Sequence, residues 1–350
     1  MSHSISIAGR EVGVDRPTFV IAEAGVNHNG DLATAMRMVE VAAQSGADAV
    51  KFQTFDSDAL ATAAAPKAEY QVRTTGGSES QRDMLRRLQL SAAAHRELKS
   101  HADRQGIIFL SSPFDDASVD LLLDLGVPAF KIPSGELTNL PLLQRIARSG
   151  KPVILSTGMA GLGEIESALR CLLAEGAENV ILLQCVTQYP ADPADVHLRA
   201  MATMKATFGL PVGYSDHTES PEVVLAAVAL GACVIEKHFT LDRTLPGPDH
   251  RASAEPAELK QLITSIRVVE SALGTPRKRP GAGELQNAKV ARKSLVARVK
   301  IPAGAPFTAD NVTTKRPGTG IAPGHLDIVL QRRARVDIEP DQLLSWDMLA

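Results

Sequence analysis

The chain has 350 residues, 44% of them hydrophobic and 22% charged, with 37 Lys and Arg against 40 Asp and Glu for a formal net charge of -3. That balance fits a soluble globular protein of more than one core and carries no polybasic signature of a nucleic-acid binder. No run reaches the roughly 18 apolar residues of a membrane span, and MSHSISIAGREVG at the start lacks a basic segment followed by an apolar one, so the expected compartment is the cytoplasm, with no membrane partner.

ISIAGREVG reads as a hairpin that would plug a barrel floor. FVIAEAG from Phe19 is the first strand, ending on Glu23 with Asn27 and His28 just beyond, and ATAMRMVEVAAQSGA follows with helical spacing. DAVKFQ from Asp48 ends on Lys51 and Gln53. The longest insertion follows, from Phe55 to about Leu88, and its TTGGSES run predicts a mobile loop over an active face. IIFLSS from Ile107 ends on Ser111 and Ser112, AFKIPS from Ala129 carries Lys131 and Ser134 with Glu136 beyond, and PVILST from Pro152 ends on Ser156 and Thr157. VILLQC from Val180 leads to Thr187 and Tyr189, PVGYSD from Pro211 to Ser215 and His217, and CVIEKH from Cys233 to Glu236 and His238.

Eight apolar strands alternating with helical segments predict an α/β fold, a (β/α)8 TIM barrel, over about 250 residues from Phe19 to Leu273. An open doubly wound sheet is the alternative. GTPRKRPGAGELQ beyond Leu273 is rich in Gly, Pro and charge, which divides the chain into a barrel domain over 1–280, a linker over 281–290 and a small domain over 291–350. Cys171, Cys185 and Cys233 lie in apolar stretches and read as packed, reduced thiols.

In such a barrel the active site forms at the C-terminal ends of the strands, and nearly every strand here ends on a polar group. Lys51 and Lys131 each follow an apolar strand, so their buried ammonium groups need an anion: a bound ligand, or a local carboxylate such as Glu23 or Glu136. A buried lysine also suits Schiff-base chemistry, which makes a metal-free aldolase the rival reading. His217 and His238 end consecutive strands, and two neighbouring imidazoles suit a divalent metal such as Mn, Zn, Fe or Co. His3, His95, His101, His197 and His325 read as structural, while His28 and His250 lie near the rim.

The ordered set IAEAGVNHNG, VKFQTF, FLSSPFD, KIPSGEL, LSTGM, QYP, GYSDHT and EKHFT resembles the sialic acid synthase family, the nonulosonate synthases. The tail segments KSLVA, IPAGAPFT and KRPGTGI are similar to their antifreeze-like (SAF, β-clip) domain. The resemblance implies condensation of phosphoenolpyruvate with the aldehyde of an N-acylated mannosamine-type sugar, giving a nine-carbon keto acid and phosphate. It implies a divalent metal, Mn2+ before Mg2+ or Co2+, held by His217 and His238. It places Lys51, Lys131, Ser134, Ser156, Thr187 and Ser215 around phosphoenolpyruvate, and Gln53, Ser112, Glu136, Tyr189, Asp249 and Arg316 toward the sugar. Glu23 would orient water or move a proton, completing a catalytic set of Glu23, Lys51, Lys131, Glu136, His217 and His238. Arg316 would come from the partner in a domain-swapped homodimer. Gln184 and Thr187 depart from the sialic acid pattern, and DVHLRAM, TLDRTLPGPDH and KRPGTGI resemble the legionaminic acid synthase branch, whose sugar is 2,4-diacetamido-2,4,6-trideoxymannose. N-acetylneuraminate formation from N-acetylmannosamine is the alternative.

Overall fold

The computed structural model describes residues 4–350, so His3 lies outside the described residues. The chain forms two compact units, the first ending at Gly274 and the second spanning Thr275–Ala350. Among the described residues no helix is long and apolar enough to cross a membrane.

The first unit is built on eight parallel strands, β1 (Phe19–Gly25), β2 (Ala49–Thr54), β3 (Ile108–Pro113), β4 (Phe130–Ile132), β5 (Val153–Ser156), β6 (Val180–Cys185), β7 (Val212–Asp216) and β8 (Val234–His238). Their hydrogen-bonded order is β3-β2-β1-β8-β7-β6-β5-β4, and the two end strands lie side by side, which closes a TIM-like barrel. Helices such as Leu32–Gln44, Leu162–Ala174 and Pro256–Leu273 alternate with the strands.

Side-chain alternation explains what the barrel holds. Outward residues such as Val20, Val50, Phe109, Leu155 and Ile235 join the buried layer shared with Leu98, Leu143, Leu172 and Ile266 of the helices. Inward residues Phe19, Ile21, Ala49, Leu110, Ile154, Ile181 and Val234 make an apolar floor, and Ile5, Ile7 and Val12 pack against it. Those three come from the antiparallel pair Ser4–Ile7 and Arg10–Gly13, so the predicted plug is present. Two residues further along, the inward positions turn polar on every strand but β6, which keeps Leu183: Glu23, Lys51, Ser112, Lys131, Ser156, Ser215 and Glu236 are all buried at that level.

Two expectations fail. The Phe55 to Leu88 insertion is a helical cap rather than a loop, with helices Ser57–Leu60, Glu69–Thr75 and Gln81–Leu88. Met84 and Leu88 bury against Val26 and Phe55, and the Lys67 ammonium, itself buried, donates to Thr75 Oγ1 at 2.9 Å and pairs with Glu79 at 3.3 Å. Of TTGGSES, Thr74 and Thr75 end the helix Glu69–Thr75 and the remaining residues form the turn to Gln81–Leu88. The expected linker at 281–290 is a helix, Ala282–Ala291, because its residues after Gly283 are mostly good helix formers and Glu284 accepts the Gly281 N-H at 2.8 Å. This helix belongs to the second unit, whose core gathers Leu295, Ile301, Phe307, Ile321, Ile338 and Leu344 around the pair Ser294–Ala297 and Val312–Lys315.

Gly213 on β7 marks the tightest strand contact. A Cβ there would lie 2.5 Å from the Val234 carbonyl oxygen and 2.7 Å from Leu183 Cδ2. Gly213→Ala should therefore force β7 and β8 apart and lower stability by about 1–3 kcal/mol. Thermal unfolding followed by circular dichroism checks this, and an unchanged midpoint would contradict it.

Candidate active site

A cavity of about 270 Å³ opens at the C-terminal ends of the strands. At its base Lys51 Nζ lies 2.8 Å from Glu23 Oε2, donates to Ser112 Oγ at 3.1 Å and stands 3.9 Å from Glu236 Oε2. Lys131 Nζ pairs with Glu236 Oε1 at 3.3 Å, and the Ser215 hydroxyl donates to the same oxygen at 3.2 Å. Both lysines thus have carboxylate partners, and one of them, Glu236, stands outside the predicted site set. Its position two residues before His238 on an alternating strand is the signal that would have found it.

The electrostatics follow from burial against partner charge. Burial pushes the Glu23 carboxyl from its ordinary 4.5 up to about 7; Lys51 opposes this and Glu236 reinforces it. Burial also opposes ionisation of Glu236, but Lys131 and Lys51 outweigh it and hold that carboxyl below its ordinary value. The Lys51 ammonium is destabilised by burial and more than restored by Glu23 and Glu236, whereas burial leaves Lys131 below its ordinary value.

Beside this cluster stand three hydroxyls. Ser156 Oγ is buried with no hydrogen-bond partner, and Ser134 Oγ accepts the Gly158 N-H at 2.9 Å. A Cβ on Gly158 would fall 2.2 Å from Thr187 Oγ1 and 2.7 Å from Ser134 Oγ, so only glycine lets these groups converge. An anion with several oxygens suits two ammonium groups and a hydroxyl left without a partner.

Above the cluster the rings of His217 and His238 lie 5.3 Å apart, with Tyr189 at 4.1 Å and 5.7 Å from them and Tyr70 stacked on Tyr189 at 4.9 Å. His217 Nδ1 is 2.6 Å from the Val186 carbonyl oxygen, which can only accept, so that nitrogen carries the hydrogen and, in the neutral ring, Nε2 keeps its lone pair. The arrangement is the usual one for a ligating imidazole. His238 Nδ1 is buried with no partner. Among the described residues no three His, Cys, Asp or Glu side chains converge as metal ligands, so a cation held here would have two imidazole nitrogens and would take its further positions from solvent or substrate.

The remaining predicted residues separate clearly. Gln53, Glu136 and Asp249 line the cavity. Glu136 accepts from Asn139 Nδ2 at 2.7 Å, and burial raises its carboxyl. Asp249 Oδ1 is buried without a partner, and burial pushes its carboxyl to about 6 against the pull of His217. Arg316 lies in the second unit, exposed, with Nε donating to the Ala291 carbonyl at 3.0 Å. His28 accepts the Gly30 N-H at 3.0 Å, and His250 sits 2.7 Å from Thr240 Oγ1, so both brace turns. Gln184 points outward and donates to the Val196 carbonyl at 2.9 Å, so its departure from the family pattern does not reach the cavity. Cys185, expected to be packing only, lines the cavity with Sγ 3.9 Å from His217 Nδ1. Tyr70, Gln71, Met84 and Leu85 enter from the insertion, where no motif marked them.

Residues 38–278 match the NeuB family, and residues 292–350 match the SAF domain. The chain belongs to the NeuB family. It is 52% identical over 331 residues to the N,N'-diacetyllegionaminic acid synthase of Campylobacter jejuni, covering 94% of this chain and 99% of that protein. Identity to the N-acetylneuraminate-9-phosphate synthase of Homo sapiens is 37% over 343 residues, covering 97% and 95%. The crystal structure of the N-acetylneuraminic acid (sialic acid) synthetase of Leptospira borgpetersenii in complex with citrate aligns with a TM-score of 0.72 at 37% identity, covering 82% of this chain and 95% of that one.

Two predictions follow from the charge cluster of this NeuB protein. Glu236→Gln leaves Lys131 without its carboxylate and should cost on the order of 3–5 kcal/mol in denaturant unfolding; no loss would mean the pair is solvated. Glu23 binds its proton more tightly folded than unfolded, so its contribution to stability falls as pH rises from its ordinary 4.5 toward about 7. The stability of wild type minus that of Glu23→Gln should therefore decline across that window, and a difference that is flat or rising with pH would refute the shift.

Proposed function

We propose that the chain condenses phosphoenolpyruvate with 2,4-diacetamido-2,4,6-trideoxymannose to give N,N'-diacetyllegionaminic acid and phosphate. The observation that carries this reading is the 52% identity to a synthase named for that product, over 94% of this chain and 99% of that one. The cavity chemistry supports it: two buried lysines and unpaired hydroxyl capacity for an anion stand beside two imidazoles.

In this reading Lys51 and Lys131, with Ser134, Ser156, Thr187 and Ser215, hold the phosphate and carboxylate of phosphoenolpyruvate. Binding that anion shares the ammonium groups with Glu23 and Glu236 and raises the proton affinity of Glu23, which prepares its carboxylate to take a proton. Gln53, Ser112, Glu136, Tyr189 and Asp249 bind the sugar and set its aldehyde carbon against C3 of the enol. Attack forms the C-C bond, water adds at C2, and the oxygen of the former aldehyde takes up the proton that this water gives through Glu23. Glu23, poised near 7 by burial, accepts the proton that this water releases. The tetrahedral carbon then expels phosphate by C-O cleavage and leaves the keto group.

His217 and His238 would hold a divalent cation, with Mn2+ favoured, since one presents a lone pair fixed by the Val186 carbonyl and the other a buried nitrogen without a partner. When bound, such a cation supplies Lewis acidity toward an aldehyde oxygen. Arg316 from the second unit of a partner copy would complete the sugar end in a homodimer, where its guanidinium has donors to spare for an acyl carbonyl.

Incubation of purified protein with phosphoenolpyruvate, Mn2+ and the diacetamido sugar should release phosphate with formation of one nine-carbon keto acid. His217→Ala should lower turnover by about 100-fold or more while leaving the far-ultraviolet circular dichroism unchanged, and chelation should do the same to wild type. Borohydride trapping of substrate on Lys51 or Lys131, with activity surviving chelation, would replace this reading with a lysine aldolase.

A further inference from the structure

The cavity has two chemically different sides. Among the described residues that line it, Lys51 and Lys131 supply the ammonium groups at the base, and no guanidinium is present. The side made by the insertion presents an apolar patch of Leu60, Met84, Leu85 and Leu88, next to Val26 and Phe114, together with the polar Tyr70, Gln71 and Gln81.

That side carries no charge although its helix is rich in arginine. Gln81–Leu88 reads QRDMLRRL, and its helical period sends Gln81, Met84, Leu85 and Leu88 to the cavity while its arginines face away. Arg86 NH2 is held by Asp58 at 2.6 Å and Arg82 Nε lies 3.6 Å from the same carboxylate. Arg87 is engaged by Glu79, with one bond of 2.8 Å. Arg86 and Arg87 are therefore committed elsewhere, and Arg82, whose buried Nε makes no hydrogen bond, lies against Asp58 outside the cavity lining.

We infer that this wall, with Leu85 and Leu60 at its accessible part, receives the methyl end of a 6-deoxy sugar and selects against a hydroxyl or phosphate there. The inference rests on the proposed reading, because it needs an aldehyde carbon placed at the lysine base. An open-chain sugar reacting there extends its far end away from the charges. Its acetamido groups and hydroxyls can turn to Gln53, Gln71, Glu136 and Asp249, which leaves the methyl for the leucines. A hydroxyl set against the leucines would lose its water and gain no partner from them. A phosphate would lose far more.

The test measures kcat/KM at saturating phosphoenolpyruvate for 2,4-diacetamido-2,4,6-trideoxymannose and for its counterpart bearing a 6-hydroxyl. Wild type should prefer the deoxy sugar by about 10- to 100-fold, the range that one small group in an apolar pocket supplies. Leu85→Ser, at a half-buried position, should narrow that ratio mainly by lowering kcat/KM for the deoxy sugar. Leu85→Arg should raise turnover of the 6-phosphorylated sugar above the wild-type level. A wild-type ratio near one overturns the inference without recourse to any variant, as does a Leu85→Ser protein that loses both sugars equally. Phosphate release from the deoxy sugar upholds the parent reading independently of that ratio, whereas no release from any sugar overturns both.

Discussion

Two lysines buried against two glutamates at one level of an otherwise apolar barrel are the constraint around which this structure is arranged. Removing such charges from water costs several kcal/mol per ion, and only close partners recover it. The apolar floor beneath makes that recovery necessary, because Ile21, Leu110, Ile154 and Ile181 exclude solvent from below. Every strand that carries a charge or hydroxyl at this level therefore has to present it in register with its neighbours. The parallel pairing does so: Glu23 stands beside Lys51, and Lys51 beside Leu110, so that Ser112 two residues on reaches the same ammonium.

The cluster is balanced unevenly, and the imbalance matters for chemistry. Glu236 is shared by both lysines and stays ionised, while Glu23 is held mainly by Lys51 and is poised near neutrality. An arriving anion would compete with the carboxylates for the same ammonium groups. Glu23 yields first, since its ionised form is the less favoured of the two. A carboxyl whose proton affinity would respond to a bound anion is thereby built from burial and distance alone.

Much of this was legible in the sequence, and the parts that were not share a cause. Strands ending in Glu23, Lys51, Lys131, Ser215 and His238 announce themselves because period-two alternation and β-branched runs are local signals. Glu236 obeys the same alternation and was passed over because the neighbouring histidine drew the chemistry. Cys185 looked like packing, since an apolar run does not tell which of its residues faces a cavity. The insertion is harder still: its helices are short, separated by Gly and Ser, and held by a core that includes Val26 from another part of the chain. Tertiary contact, rather than propensity, decides such segments. Ala282–Ala291 failed for a simpler reason, because the Gly and Pro before it mask a capped helix.

The two ends of the cavity also differ in how freely they can vary. At the base each side chain is fixed by a partner that is itself fixed, and Gly158 shows how little room remains, with Thr187 and Ser134 both inside the reach of a single added carbon. Change there disturbs charge balance and packing together. The insertion wall carries no buried charge toward the cavity, and its arginines are anchored on the outer face by Asp58 and Glu79. Substituting Leu60 or Leu85 alters the polarity of the wall without uncovering an unpaired ion. The architecture thus separates an invariant demand, holding an anion beside a reactive aldehyde, from an adjustable one, reading the far end of the sugar. A barrel so divided can change its sugar by exchanging a few side chains of one insertion while the lysine and glutamate register stays as it is.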